Sequence, residues 1–190
     1  LLILITCSNL STIFFQHELH DIHIETCTLK MDTKVVEVDP NQEVFDIDDR
    51  SLTAQSRKQH AYHIPGAYHE FDRLVRTRRM NVAFIACCPM DKNGYFNTST
   101  TCSYIPGLLE VCDYVIIEEN ESFPVVYGGE FTEIHISQVN AIVKGNNQPL
   151  ESLGKGAASE ADIKIAENVM NELEDRCCLQ FGIGGIPDKI

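Results

Sequence analysis

The chain is poor in positive charge: 15 Lys and Arg stand against 28 Asp and Glu, a formal net charge of -13 over 190 residues. A surface of that sign repels phosphate backbones and argues against nucleic acid as a partner. A small anion remains admissible, because a few backbone N–H groups can hold one locally. The 8 cysteines include no C-x-x-C pair. Two pairs are adjacent instead, Cys87-Cys88 and Cys177-Cys178. Neighbours on a strand point to opposite faces, which suits neither a disulfide framework nor a metal clamp. The reading is reduced, mostly buried thiols in a cytoplasmic chain. In such a compartment the N-x-S/T sequons at Asn9, Asn97 and Asn120 are chance matches. No apolar run is long enough for a membrane span, and no basic segment marks a signal peptide. The opening Leu1–Ile5 is apolar, without an initiator Met, and reads as the cut edge of a longer chain. Internal repeats and low-complexity tracts are absent as well.

What is present is enough apolar material, 44%, to build a core. Residues 1–16 are apolar and poorly patterned. Alternating runs around Ile22–Ile24 and Lys34–Val38 predict strands. Residues 39–60, polar and acidic, predict a loop or short helix. Val82–Cys88 is a continuous apolar run ended by Pro89, the pattern of a strand buried on both faces in a parallel sheet. Leu108–Cys112 predicts a short helix, Tyr114–Ile117 a second buried strand, and Glu133–Val143 a strand with a short helix. Residues 145–160 have a linker composition of Gly, Asn and Pro. Ser159 then stands three residues before Asp162, as in a capping box. Ile163, Ala166, Val169, Met170 and Leu173 follow at helical spacing. Cys177–Phe181 predicts one more buried strand. Strands alternating with helices predict an α/β fold with an open, mostly parallel sheet.

The sharpest local signal is Gly182-Ile183-Gly184-Gly185-Ile186-Pro187-Asp188, placed after a predicted strand and before a predicted helix. Glycines there let backbone N–H groups approach a charged ligand, and Pro187 suits a first helical turn. A dinucleotide fingerprint would need Gly where Pro187 stands, and a Walker loop would need Gly-Lys-Ser/Thr. From spacing alone, a tight turn without a ligand is an equal reading.

The run Cys178–Asp188 resembles the glycine loop of the acetyl-CoA hydrolase/transferase family, in the branch of the 4-hydroxybutyrate and butyryl-CoA:acetate CoA-transferases. Other segments agree in order: Ala61–Pro65, Pro89–Asn97, Val115–Glu121, Ile134–Val139 and Ile142–Leu150, with Glu18–Ile24 the familiar stretch of the first third. The resemblance implies a sheet of the CoA-transferase (NagB/RpiA-like) type and two related domains with the active site between them. It divides the chain into 1–150, an N-terminal domain incomplete at its start; 151–159, a linker; and 160–190, the beginning of a truncated second domain. It implies ping-pong transfer of coenzyme A between a short-chain acyl-CoA and a carboxylate, through a glutamyl-CoA thioester. That glutamate falls beyond Ile190, so this chain holds no catalytic residue. Gly184, Gly185, Ile186, Pro187 and Asp188 carry over as coenzyme A contacts, although Asp188 replaces an asparagine of some relatives. No metal or redox cofactor is implied, the partners being acyl-CoA and carboxylate, with a homo-oligomer expected of the full-length form.

The chain holds other candidate groups. His17, His20 and His23 recur every third residue but have no evident carboxylate or thiolate co-ligand, so they read as ordinary strand or surface histidines. Glu118, Glu119 and Glu121 follow a buried strand, where catalytic carboxylates often sit, and read as a solvated acidic loop rather than as catalytic groups. His135 is a cleft candidate. Arg73, Arg76, Arg78 and Arg79 form the one basic cluster, suited to a helix face or to the phosphates of coenzyme A. Beside the transferase stand an acetyl-CoA hydrolase of the same family and an inactive, non-enzymatic fragment.

Overall fold

A computed structural model describes residues 2–5, 23–26, 44–46, 61–63, 65–78, 80–100, 102–150, 158–182 and 184–190. It separates into two compact units, Leu1–Leu150 and Glu151–Ile190. The first unit is built on β1 (Leu2–Ile5), β2 (His23–Thr26), β3 (Val44–Asp46), β4 (Ala61–His63), β5 (Val82–Cys87), β7 (Tyr114–Glu119) and β9 (Ala141–Lys144). These form a seven-stranded sheet in the order β4-β3-β2-β1-β5-β7-β9. Every pairing in it is parallel. A short antiparallel pair, β6 (Tyr95–Asn97) with β8 (Glu133–His135), stands apart from that sheet. Helices α1 (Phe71–Thr77) and α2 (Ile105–Val111) precede β5 and β7.

Along β5 the side chains of Ala83, Ile85 and Cys87 are buried, and those between them half-buried. The expected burial on both faces is therefore complete on one face only. That face joins Val115 and Ile117 of β7, Phe71 and Val75 of α1, and Ile105 and Leu108 of α2 in one core. Each fully buried Ile or Leu side chain contributes about 2 kcal/mol relative to exposure, so this cluster is what holds helices to sheet. The two helices meet closely at Gly107. Its N–H donates to Asp72 Oδ1 at 2.8 Å. An added Cβ would lie 3.0 Å from the Asp72 carbonyl. Arg76 braces the contact, its Nε donating to Asp72 Oδ2 at 2.8 Å while the guanidinium also pairs with Glu110.

The second unit begins with α3 (Glu160–Met170). The capping box is present: Ser159 Oγ accepts from Asp162 N at 3.2 Å, and Asp162 Oδ2 accepts from Ser159 N at 2.8 Å. The chain ends in a 3-10 turn, Pro187–Lys189, with Pro187 in its first positions.

Several expectations need correction. Leu2–Ile5, in the poorly patterned 1–16 stretch where no element was expected, forms the central strand β1, paired to β2 on one side and β5 on the other. The 39–60 segment holds a strand, β3, where a loop or helix was expected. A run of three or four residues carries too little period to separate these cases, and pairing across the sheet decides. Lys34–Val38 lies outside the described residues. Cys177–Phe181 forms no strand, and Leu179 and Phe181 are 45% and 50% exposed. A strand needs a ladder partner, and among the described residues of the second unit no strand is available to pair with it. Cys177 and Cys178 are accordingly exposed, not buried.

Candidate functional site

Parallel pairing puts all carboxyl ends of the main sheet on one edge. The chain runs outward from β1 through β2, β3 and β4, then returns beside β1 as β5 and runs outward the other way. The gap between β1 and β5 is thus a topological switch point, where open α/β sheets bind ligands beyond the strand ends.

The described loops at this edge are tied by asparagines and by an aspartate. After β5, Asp91 Oδ1 accepts from Tyr95 N at 2.8 Å and from Asn93 N at 2.9 Å. The Tyr95 N–H, with the Asn93 amide behind it, holds the Asp91 carboxyl below its ordinary range. Met90 N donates to Glu119 Oε1 at 3.0 Å. The Asn97 carboxamide is buried: its Oδ1 accepts from Ser99 N and Val126 N at 2.9 and 3.1 Å, and its Nδ2 donates to Val126 O at 3.0 Å. Asn120, also buried, donates from Nδ2 to Gln148 O at 2.8 Å. The sequons at Asn97 and Asn120 therefore present no free amide to a glycosylating enzyme.

His135 packs against Tyr95 with the rings tilted at 59°, their centroids 4.8 Å apart. Its Nδ1 lies 2.8 Å from Ser137 Oγ and accepts from Ser137 N at 3.3 Å. In this arrangement Nδ1 is spent on the local turn, and Nε2 lies beside Gly94, where an added Cβ would be 3.4 Å from it. Arg73 pairs with Glu70 at 2.7 Å, and Arg76 with Asp72 and Glu110. These two arginines serve a helix face; Arg79 lies outside the described residues. So do His17 and His20, while His23 opens β2. Burial pushes the Cys87, Cys88 and Cys112 thiols up, Cys112 to about 11, which makes them poor nucleophiles at neutral pH.

Of the acidic trio, Glu121 is exposed, Glu119 half-buried and Glu118 buried. Desolvation raises the Glu118 carboxyl above its ordinary 4.5. The folded state then binds the proton more tightly than the unfolded chain. Stability carried by this group is full below the ordinary value and is lost as pH rises through the raised one. Glu118→Gln should therefore melt above wild type near pH 7, with the gap closing at about pH 4. Thermal melts across that range check it; a gap independent of pH would refute the assignment.

In the second unit, the candidate residues Gly184, Gly185, Ile186, Pro187 and Asp188 form one turn. Asp188 N donates to Gly184 O at 3.2 Å, and Lys189 N to Ile186 O at 3.0 Å. Gly184 has φ 158°, which side-chain-bearing residues rarely adopt. Gly185 sits against the start of α3: an added Cβ would lie 3.4 Å from Asp162 Oδ2. The glycine turn and the amino end of α3 are thus neighbours. Sequence reasoning missed the ties among Asn120, Asn147 and the segment after β9. The Gly145-Asn146-Asn147 run was the available signal, since both residue types tolerate left-handed backbone.

A family model described as the acetyl-CoA hydrolase/transferase N-terminal domain matches residues 17–152. The chain belongs to this family. A probable butyrate:acetyl-CoA coenzyme A-transferase of Syntrophomonas wolfei is 32% identical over 178 residues, 91% of this chain and 40% of that protein. A butyryl-CoA:acetate CoA-transferase of Anaerostipes caccae is 31% identical over 180 residues, again 91% of this chain and 40% of that protein. The chain thus spans about two fifths of the length of these curated relatives, 40% in each case. Among solved structures, RipA from Yersinia pestis superposes with a TM-score of 0.78 at 23% identity, covering 98% of this chain and 48% of that one. A 4-hydroxybutyrate CoA-transferase from Porphyromonas gingivalis gives 0.69 at 21% identity, covering 99% and 45%. These likenesses show the fold, a mostly parallel open sheet of the CoA-transferase type. Among the described residues no helix is long and apolar enough to cross a membrane.

Proposed function

We propose that this chain forms the N-terminal part of a CoA-transferase that moves coenzyme A between a short-chain acyl-CoA and a carboxylate. The observation that carries this reading is the family match over residues 17–152, joined to likeness with named CoA-transferases over 91% of the chain. The open sheet with its switch point and the glycine turn at Gly184–Asp188 support it.

In the reaction proposed, a glutamate outside this chain attacks the acyl-CoA thioester. The C–S bond breaks, giving an acyl-glutamyl anhydride and the CoA thiolate. The thiolate then attacks the glutamyl carbonyl, releasing the carboxylate and leaving glutamyl-CoA. The same steps in reverse load the acceptor. Covalent catalysis splits one hard exchange into easier ones. Each step develops an oxyanion, which backbone N–H groups of a glycine turn are suited to stabilise. Gly184, Gly185, Ile186, Pro187 and Asp188 are the proposed coenzyme A contacts. No group beyond the thioester and the carboxylates is needed to balance the exchange. A cytoplasmic homo-oligomer goes with this reading.

The test uses a protein of the relatives' full length carrying this chain, given acetyl-CoA and butyrate. Butyryl-CoA should appear without net release of free thiol. Thiol release that does not depend on butyrate would make it the hydrolase of the same family. Formation of neither product by the folded protein would overturn the reading.

A further inference from the structure

The segment after β9 carries linker composition, yet it is stitched to the carboxyl end of β7. Gly145 N donates to Glu119 O at 2.8 Å. An added Cβ at Gly145 would lie 2.5 Å from Glu118 Oε1 and 2.8 Å from the Glu119 carbonyl, so the backbone is pressed directly on the strand end. Asn147 has φ 56°, a left-handed conformation that asparagine tolerates better than most residues. From there its Oδ1 accepts from Glu121 N at 2.9 Å, and its carbonyl accepts from Ser122 Oγ at 2.7 Å. Asn120 answers from the other side. Its Nδ2 donates to Gln148 O at 2.8 Å and its Oδ1 accepts from Ser122 N at 2.9 Å. Its own N–H donates to Cys87 O at 2.9 Å, which ties the same turn to β5.

Two asparagines from different loops thus each hold the backbone of the residue that follows the other, Asn147 that of Glu121 and Asn120 that of Gln148. They do so at the carboxyl edge, where open α/β sheets bind ligands, and immediately before Leu150, where the first unit ends. We propose that Asn120 and Asn147 are positioning residues that fix the point from which the connection leaves the first unit. That work serves acyl transfer if the CoA-transferase reading holds, on which this part of the inference rests. The two side chains hold backbone and touch no reacting atom.

Asn147→Gly separates the side chain from the backbone, because glycine keeps the left-handed conformation and loses the acceptor. Asn147→Asp keeps both. Hydrogen exchange of this chain should show the Glu121 amide, which loses its Asn147 Oδ1 acceptor, exchanging about tenfold faster in Asn147→Gly, the loss of roughly one hydrogen bond. Ala83 and Ile85 amides should stay as in wild type, and Asn147→Asp should restore protection. Unchanged exchange at Glu121, or an equal rise at Ala83 and Ile85, would overturn the clamp. In the full-length protein, well below its melting midpoint, Asn147→Gly should lower kcat about tenfold with KM for acyl-CoA nearly constant, and Asn147→Asp should recover it. A lost clamp with unaltered kcat would leave it structural and overturn the positioning role. A wild type without transferase activity would sink the functional reading alone, since the exchange measurement does not depend on it.

Discussion

Gly184→Val, placed in a protein of the relatives' full length, should suppress the covalent glutamyl-CoA species by about a hundredfold or more, the effect of losing one oxyanion donor. Gly184 holds φ 158°, and its carbonyl closes the turn by accepting from Asp188 N at 3.2 Å. Space alone does not forbid a side chain: an added Cβ would meet only Pro187 Cδ, at 3.8 Å. Backbone conformation is the obstacle, since a β-branched residue disfavours this φ and would swing the neighbouring N–H groups away. Intact mass after brief exposure to acyl-CoA without acceptor reads the adduct directly. A matching melt must first show that the variant folds like its parent. A well-folded variant that forms the adduct at the wild-type rate would make Gly184–Asp188 a structural turn without a catalytic part.

The chain of 190 residues by itself should exchange coenzyme A between acetyl-CoA and butyrate no faster than the uncatalysed reaction. The proposed nucleophile lies outside it, and the carboxylates at the sheet edge are committed elsewhere. Glu119 Oε1 accepts the Met90 N–H, and Glu118 is buried beneath the Gly145 backbone. Removing a covalent nucleophile removes the step that splits the exchange, so the expected loss spans orders of magnitude. Turnover by the isolated chain would contradict this and would point to the exposed Glu121.

Much of the fold was legible because its signals are local. The strands β5 and β7 are six residues each, and their apolar runs, Val82–Cys88 and Tyr114–Ile117, are ended by Pro89 and by Glu118. Ser159 and Asp162 satisfy one another's backbone within a single turn of α3, so spacing alone announces them. Glycine and proline in Gly184–Asp188 state a tight turn before a helical start, and the ordered segments from Ala61 onward carry the family. The candidate site was legible only as a place on the chain. Nothing in Gly184–Asp188 says that Gly185 rests against Asp162.

The amino-acid sequence by itself determined the α/β class, the strands β5 and β7, the capped helix α3, the glycine turn and the family. All rest on propensity, periodicity or motif within a few residues. Only the tertiary structure decided that Leu2–Ile5 is the central strand, that the strand order reverses between β1 and β5, and that Cys177–Phe181 is no strand. Only it paired Asn147 with Glu121 across 26 residues and turned an apparent linker into a clamp. The reason is common to all four. Ladder and side-chain partners come from distant segments, and a short run has no preferred state until a partner satisfies its backbone groups.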